Sequence, residues 1–166
     1  MSTNDRPALP GAPGLGDDLG VAGRIYSGGY EGMTLDALVD RLASAHVSVL
    51  FDVRLNAVSR KPGFSKKRLT AALEEAGIDY VHEKELGNPQ DNRDTFRNGD
   101  GEAGRVRMRS TLDNGAGEAL GRLVDLASNQ RVAVLCVERD QSRCHRDVIT
   151  DMSVERNPDI EVLQIL

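Results

Sequence analysis

The chain has 166 residues, 28% of them charged and 39% hydrophobic, and its formal net charge at pH 7 is -5. This length suits one domain with its own core, and the acidic balance argues against general adhesion to nucleic acid. Tryptophan is absent and only 4% of the residues are aromatic, so a surface for stacking bases is not expected.

The sequence indicates neither a membrane span nor a secretory signal. No apolar run approaches the roughly 20 residues that a span requires. The first residues also lack the charged-then-apolar pattern of a signal peptide. We therefore expect a cytoplasmic protein in which Cys136 and Cys144 are reduced thiols.

Residues 1–22 are rich in Gly and Pro, and this composition predicts a disordered N-terminal tail. After this tail, β-type runs alternate with helical patterns. Strands are predicted at 24–28, 47–53, 78–82, 131–137 and 161–166.

Helices are predicted in four places between these strands. Thr34 and Ser65 are predicted to cap the first two, and Gly77 to end the second. A third helix carries apolar positions up to Ala127, and Ser142 is predicted to cap the last helix.

A long polar excursion occupies residues 83–115 and is predicted to hold one helix around 106–112. Excursions of this length are functional lids or partly disordered segments. The alternation around it predicts a single Rossmann-like three-layer α/β/α domain over 23–166, with a mostly parallel sheet of about five strands. Ligands of such folds bind beyond the carboxyl ends of the strands.

A basic run follows the second predicted strand. Between Asp52 and Glu74 the chain carries six positive charges and no negative one: Arg54, Arg60, Lys61, Lys66, Lys67 and Arg68. Asp52 and Arg54 point to the same face of the strand end, and two interpretations stay open. They form a structural ion pair, or Arg54 directs its donors to a phosphate or carboxylate while Asp52 orients it. The following Ser59 and Arg60 favour an anion site.

The loop after the fourth predicted strand, RDQSRCHRDVI, combines a thiol, an imidazole and three guanidinium groups. A helix capped by Ser142 would place Cys144 and His145 in its first turn, where free N–H groups stabilise a phosphate or a thiolate. Cys144 as a nucleophile, Glu138 and His145 as acid and base, simple anion binding and a purely structural cysteine all remain open.

Metal and cofactor signatures are missing from the sequence. A metal ion is the weaker alternative: the residues that could converge on it are Cys136, Glu138, Cys144, His145 and His82. No CxxC or HxxxH spacing supports zinc, so no metal site is predicted. GxGxxG and the Walker-type GxxxxGK[ST] pattern are also absent, and no cofactor is expected.

Taken together, the motifs YSGG, FDVR with a following SR and F, GIDYVH, LG, LCVE and CHRDVI resemble the domain of unknown function 488 family, from about residue 23 to residue 166. Members usually carry a GHS-like turn after the first strand, where this chain has YSGGY, so Ser27 or Tyr30 replaces histidine as the polar donor. The resemblance implies a small α/β domain without an established activity. The positions that match the family motifs are Ser27, Asp52, Arg54, Ser59, Arg60, Glu138, Cys144, His145 and Arg146.

Our leading hypothesis is a hydrolase or transferase that acts on a phosphorylated substrate, such as a nucleotide or a nucleic-acid end. The catalytic candidates are Glu138, His145, Cys144 and Asp52, and the substrate-binding candidates are Ser27, Arg54, Ser59, Arg60 and Arg146. One alternative is sulfur transfer or redox chemistry at Cys144. Another is a non-catalytic module whose basic edge binds an acidic partner, with nucleic acid the less favoured partner.

Overall fold

Five parallel strands form one sheet in the computed structural model, which describes residues 23–165. The strands are β1 (Gly23–Gly29), β2 (Val49–Asp52), β3 (Asp79–His82), β4 (Arg131–Cys136) and β5 (Ile160–Gln164). Their order is β3-β2-β4-β1-β5, so β4 lies between β2 and β1. The carboxyl ends of these three strands therefore lie side by side. The predicted tail at 1–22 lies outside the described residues.

Six α-helices accompany the described strands: α1 (Leu35–Ser44), α2 (Lys66–Glu75), α3 (Gln90–Arg97), α4 (Gly101–Asn114), α5 (Gly117–Ala127) and α6 (Arg146–Arg156). Short 3-10 turns occur at Lys84–Leu86 and Gln141–Arg143. Within residues 23–165, no helix combines the length and the apolar character needed to cross a bilayer.

The sheet separates two hydrophobic cores because neighbouring residues of a strand point to opposite faces. On β2, Leu50 packs with α1 and α2, whereas Phe51 packs with α4, α5 and α6. Fully buried side chains from the two helix layers are Leu38, Leu42, Leu69 and Leu73 on one face and Met108, Leu112, Leu120 and Ile149 on the other. This arrangement confirms the predicted three-layer α/β/α fold.

The predicted start of α1 is confirmed, because the Thr34 hydroxyl accepts a hydrogen bond from the Ala37 amide at 3.1 Å. Ser65 does occupy the N-cap position of α2, yet its hydroxyl makes no bond to that helix. It binds the backbone of Ser59 instead, at 3.0 and 3.1 Å. Gly77 follows α2 with a φ of 76°, as expected for a helix-ending glycine.

The helix predicted around 106–112 is confirmed within α4, but the 83–115 excursion also forms α3, which the sequence did not predict. Three buried apolar side chains, Phe96, Met108 and Leu112, are sufficient to anchor the two helices. Gly104 lets them approach closely, since a Cβ atom there would lie 2.8 Å from the Phe96 ring. Helix α3 has only one large buried apolar residue, Phe96, and this sparse pattern hid it in the sequence.

The prediction that Ser142 caps the last helix is also wrong. The amide and hydroxyl of Ser142 both bind Asp140 Oδ1, at 3.0 and 2.7 Å, and this local pairing makes a 3-10 turn. Helix α6 begins later, with His145 at its N-cap position. Cys144 consequently has an extended backbone, with φ -129° and ψ 145°, and does not lie in a first helical turn.

Candidate functional site

At the end of β2, Asp52 and Arg54 form a buried ion pair. Arg54 donates from Nε to Asp52 Oδ1 at 2.8 Å and from Nη2 to Oδ2 at 2.6 Å. The Arg54 amide adds a third bond to Oδ1, at 3.2 Å. Both side chains are almost fully buried, so the pair is held in two-point geometry away from water.

Neighbouring groups occupy the remaining positions around this pair. Tyr80 donates its hydroxyl to Asp52 Oδ2 at 2.5 Å, and Arg54 Nη1 donates to the Phe64 carbonyl at 2.7 Å and to the Tyr30 hydroxyl at 3.3 Å. Burial raises the pKa of Tyr80, and its bond to the Asp52 carboxylate raises it further. Since four of the five Arg54 side-chain N–H donors bind protein acceptors and Asp52 is fully buried, the structure favours the ion-pair interpretation of Asp52 and Arg54.

The rest of the basic run lies on the surface. Arg60, Lys66, Lys67 and Arg68 are exposed. The Ser59 hydroxyl accepts a bond from the Lys61 amide at 3.1 Å. Neither Ser59 nor Arg60 lines the cleft described below. Of the basic run, only Arg54 lines the same cleft as the loop after β4, and the other residues do not converge with that loop.

That loop brings two sulfur atoms to one imidazole nitrogen. His145 Nδ1 lies 3.6 Å from Cys144 Sγ and 3.9 Å from Cys136 Sγ. The three atoms all lie within 4.8 Å of one another, and all three residues are buried. We call Cys136 Sγ, Cys144 Sγ and His145 Nδ1 the sulfur–imidazole group.

The opposite nitrogen of the imidazole fixes the orientation of the ring. His145 Nε2 lies 2.9 Å from the Val53 carbonyl oxygen, which can only accept a hydrogen bond. Nε2 therefore carries a proton, and Nδ1 faces the two sulfur atoms. Because Val53 directly follows β2, this bond ties the loop after β4 to the end of the neighbouring strand.

Arg146 is completely buried and connects β1 with the same group. Its Nη1 donates to Ser27 Oγ at 2.8 Å, its Nη2 to the Glu138 carbonyl at 2.5 Å and its Nε to Cys144 Sγ at 3.3 Å. Gly29 lets the end of β1 lie against the backbone of Glu138, since a Cβ atom at position 29 would be 1.8 Å from the Glu138 carbonyl oxygen.

Charge is distributed unevenly over the two cysteines. Burial raises the pKa of Cys144, but the hydrogen bond from Cys136 and the positive charges of His145 and Arg146 outweigh burial and lower it well below its usual value. The hydrogen bond to Cys144, together with burial, raises the pKa of Cys136 well above its usual value. Burial lowers the pKa of His145, yet the attraction of the Cys144 thiolate raises it overall. The arrangement favours a Cys144 thiolate beside a protonated imidazole.

A small cleft of about 80 Å³ opens next to this group. Cys136, Glu138 and His145 line one part of it, and Arg93 and Arg97 from α3 line another. Burial raises the pKa of the Glu138 carboxyl. A neighbouring cavity of about 270 Å³ shares Arg97 and Glu138 and adds Glu31, Asp140 and Arg143.

The two arginines of α3 differ from Arg54 in having no counter-ion. Among the described residues, neither the Arg93 nor the Arg97 side chain forms an ion pair or a hydrogen bond. Arg93 Nε is buried and has no hydrogen-bond acceptor. The cleft therefore presents uncompensated positive charge close to a thiol, an imidazole and a carboxyl group.

The structure thus places seven of the nine predicted site residues at the ends of β1, β2 and β4: Ser27, Asp52, Arg54, Glu138, Cys144, His145 and Arg146. Of the members of the site, Arg93 and Arg97 were not predicted from the sequence, and Cys136 was considered only as one of five residues that could converge on a metal ion. The i, i+4 spacing of the two arginines was an available signal, since it puts them on one face of a helix. It went unused because no helix was predicted there.

Comparison with known proteins gives a family and no closer relative. The model of the family described as "Domain of unknown function DUF488" matches residues 34–153, which is most of the chain. No curated protein and no solved structure matches the chain.

Replacing Asp52 with Asn should destabilise the protein strongly. The substitution leaves the Arg54 guanidinium buried without a negative partner, which typically costs about 3–5 kcal/mol of unfolding free energy. Urea denaturation followed by circular dichroism measures this difference. Asp91→Asn is the control, because Asp91 pairs with Arg107 at the surface and its loss should leave stability nearly unchanged. Equal effects of the two variants would contradict a structural role for the buried pair.

The Cys144 thiol should ionise at a lower pH than an ordinary cysteine, because Cys136, His145 and Arg146 lower its pKa. In the reduced, chelator-treated protein, the ultraviolet absorbance of thiolate should rise in two steps, one of them below the ordinary cysteine pKa of about 8.5 and the other above it. Cys144→Ser should remove the lower step, whereas Cys136→Ser keeps a hydroxyl donor for Cys144 and should retain it. Two ordinary cysteine transitions would contradict the assignment.

Proposed function

The chain belongs to the family of the domain of unknown function DUF488, a description that assigns no activity, and we propose from the site that it is an enzyme acting on a small phosphorylated substrate. The substrate binds in the cleft between α3 and the ends of β2 and β4. The observation that carries this proposal is the pair of arginines, Arg93 and Arg97, that line the cleft without a counter-ion in the described chain.

Unpaired guanidinium groups support an anionic ligand on electrostatic grounds. Two like charges one helical turn apart repel each other, and a bound anion relieves this repulsion. Arg93 adds a buried Nε without an acceptor, and leaving a buried donor unpaired costs about 1–3 kcal/mol. A phosphate group supplies several oxygen acceptors in the geometry that guanidinium groups prefer.

Glu138 is the general acid or base in this proposal. Its carboxyl group lies in both the inner cleft and the neighbouring cavity, where it can contact a bound substrate. Its pKa is raised by burial, which favours proton exchange nearer to neutral pH. His145 lines the inner cleft beside it and assists by position and charge.

The arginines that the sequence singled out have other roles in the proposal. Arg54 and Arg146 already donate to protein acceptors, and both are buried. They hold the site together, whereas Arg93 and Arg97 contact the substrate. Phosphate binding by Arg60 has no support from the lining of the cleft.

The double variant Arg93→Gln with Arg97→Gln should lose phosphate binding. Each charge-assisted hydrogen bond contributes about 1.5–3 kcal/mol, so the affinity for inorganic phosphate, pyrophosphate or a mononucleotide should drop more than about tenfold. Isothermal titration calorimetry at low salt measures this loss of affinity. Turnover of the ligand that binds most tightly is then compared between the unmodified protein and the Glu138→Gln variant.

The matched control is Arg107→Gln, which removes an arginine of α4 that is already paired with Asp91 on the surface. This variant should bind phosphate as the unmodified protein does. Unchanged binding in the Arg93 and Arg97 double variant would refute the proposed anion site. Binding without turnover of any phosphorylated ligand would reduce the domain to a binding module.

Thiol redox chemistry is the second candidate, and the two sulfur atoms on either side of His145 Nδ1 favour it. Cys136 and Cys144 would transfer two electrons and two protons to a disulfide substrate. They would become an intramolecular disulfide, and the substrate would be released as two thiols.

Treatment with glutathione disulfide tests this second candidate. Both protein thiols should disappear and the mass should fall by two hydrogens, while each single Cys→Ser variant should stop at a mixed disulfide. Retention of both free thiols under these conditions would exclude the redox mechanism.

A further inference from the structure

We infer that the sulfur–imidazole group is a zinc site in which Cys136 Sγ, Cys144 Sγ and His145 Nδ1 bind one Zn²⁺ ion. Three potential ligand atoms from buried residues lie within 4.8 Å of one another. Thiolate sulfur and imidazole nitrogen are the ligands that Zn²⁺ prefers in proteins.

The distances between the ligand atoms fit a tetrahedral ion. With Zn–S bonds of about 2.3 Å and a Zn–N bond of about 2.0 Å, neighbouring ligand atoms are separated by roughly 3.5–3.8 Å. The observed separations from His145 Nδ1 are 3.6 Å to Cys144 Sγ and 3.9 Å to Cys136 Sγ. The two sulfur atoms lie within 4.8 Å of each other, so binding the ion requires them to approach by at most about 1 Å, while the nitrogen-to-sulfur separations need to change by only a few tenths of an ångström.

Groups around the ligands have the roles expected of a metal site's surroundings. The Val53 carbonyl holds the proton of His145 on Nε2, so that Nδ1 can offer its lone pair to the ion. Arg146 Nε donates to Cys144 Sγ at 3.3 Å, and its charge stabilises the thiolate ligand. Backbone carbonyls and charged donors of this kind fix ligand orientation and tune affinity.

The fourth coordination position faces the cleft. Cys136 and His145 line the cleft, whereas Cys144 lies behind them and is only 1% exposed. Glu138 Oε2 is 3.4 Å from Cys136 Sγ and borders the same opening. Three protein ligands with an open fourth position is the arrangement of catalytic zinc sites, in which the ion binds and activates water.

The activation of water at the fourth coordination position rests on the proposed function, because it places that water beside the anion held by Arg93 and Arg97. The zinc site itself does not rest on it. His82 is not part of the group, since its Nε2 lies 2.8 Å from the Arg54 carbonyl. The sequence did not indicate zinc because one ligand ends a strand and the other two precede a helix, without a compact repeat.

Metal content and cobalt substitution test the inference directly. Tag-free protein purified without chelators should contain one zinc per chain by mass spectrometric elemental analysis. After chelation, Co²⁺ added to the reduced protein should give thiolate-to-cobalt charge-transfer absorption and the strong visible bands of a tetrahedral ion. Zinc should displace the cobalt and abolish the spectrum.

Three variants identify the ligands. Cys136→Ser and Cys144→Ser should each weaken Co²⁺ binding by more than the roughly 10- to 100-fold that loss of a second-shell partner costs. His145→Gln should do the same while keeping a donor for the Val53 carbonyl. His46→Asn is the control, because His46 is a histidine away from the group with a φ of 57°, a conformation that Asn tolerates.

Two results would overturn the zinc site: reduced protein that takes up neither zinc nor cobalt, or a cobalt spectrum that the cysteine variants leave unchanged. The Arg93→Gln and Arg97→Gln double variant separates this inference from the proposed function, since it should bind Co²⁺ normally. Phosphate binding in a protein that takes up no metal would refute the zinc site alone. Zinc binding without any phosphate affinity would refute the anion site alone.

Discussion

The buried guanidinium of Arg146 is the constraint on which the site depends. It has no exposed surface and forms no ion pair with a carboxylate in the described part of the chain. An uncompensated charge in this position would cost several kcal/mol. Cys144 supplies the compensation, since its sulfur accepts from Arg146 Nε, and its pKa is lowered by the hydrogen bond from Cys136 and by the charges of His145 and Arg146. The same guanidinium binds Ser27 and the Glu138 carbonyl, so β1, β4 and α6 are joined by one charged group.

Arginines have two different roles at this edge of the sheet, and the presence of a partner distinguishes them. Arg54 is bound at two points by Asp52, and its guanidinium also reaches Phe64 and Tyr30. Arg93 and Arg97 line the cleft without such partners among residues 23–165. The arginines at this edge thus have different roles although the sequence gives no sign of it: Arg54 is structural, whereas Arg93 and Arg97 are available to a ligand.

Local patterns predicted the fold well because they report local physics. Nearly continuous apolar runs, typical of strands buried on both faces, predicted β2 and β4. Thr34 predicted the start of α1 because its hydroxyl binds an amide only three residues away. Ser142 failed as a marker because Asp140 competes for its amide and hydroxyl groups. Helix α3 of the 83–115 excursion was missed because a single large apolar side chain, Phe96, anchors it through tertiary contacts.

The site could be predicted only in part for a related reason. Alternation of strands and helices indicates that strand ends share an edge, and this drew attention to Glu138, Cys144, His145 and Arg146, which do lie at that edge. The strand order, which places β4 between β1 and β2, is a long-range property that no local pattern carries. The convergence of Cys136 with Cys144 and His145 follows from that order and from the late start of α6.

The most direct test of the account is a phosphate titration of isotope-labelled protein followed by amide chemical shifts. An anion site in the cleft predicts that the largest chemical-shift changes occur in α3 around Arg93 and Arg97 and at Glu138. Changes confined to the exposed basic residues at the start of α2, Lys66 and Lys67, would contradict it. That result would place the anion on the basic run of the sequence and leave the cleft without a ligand.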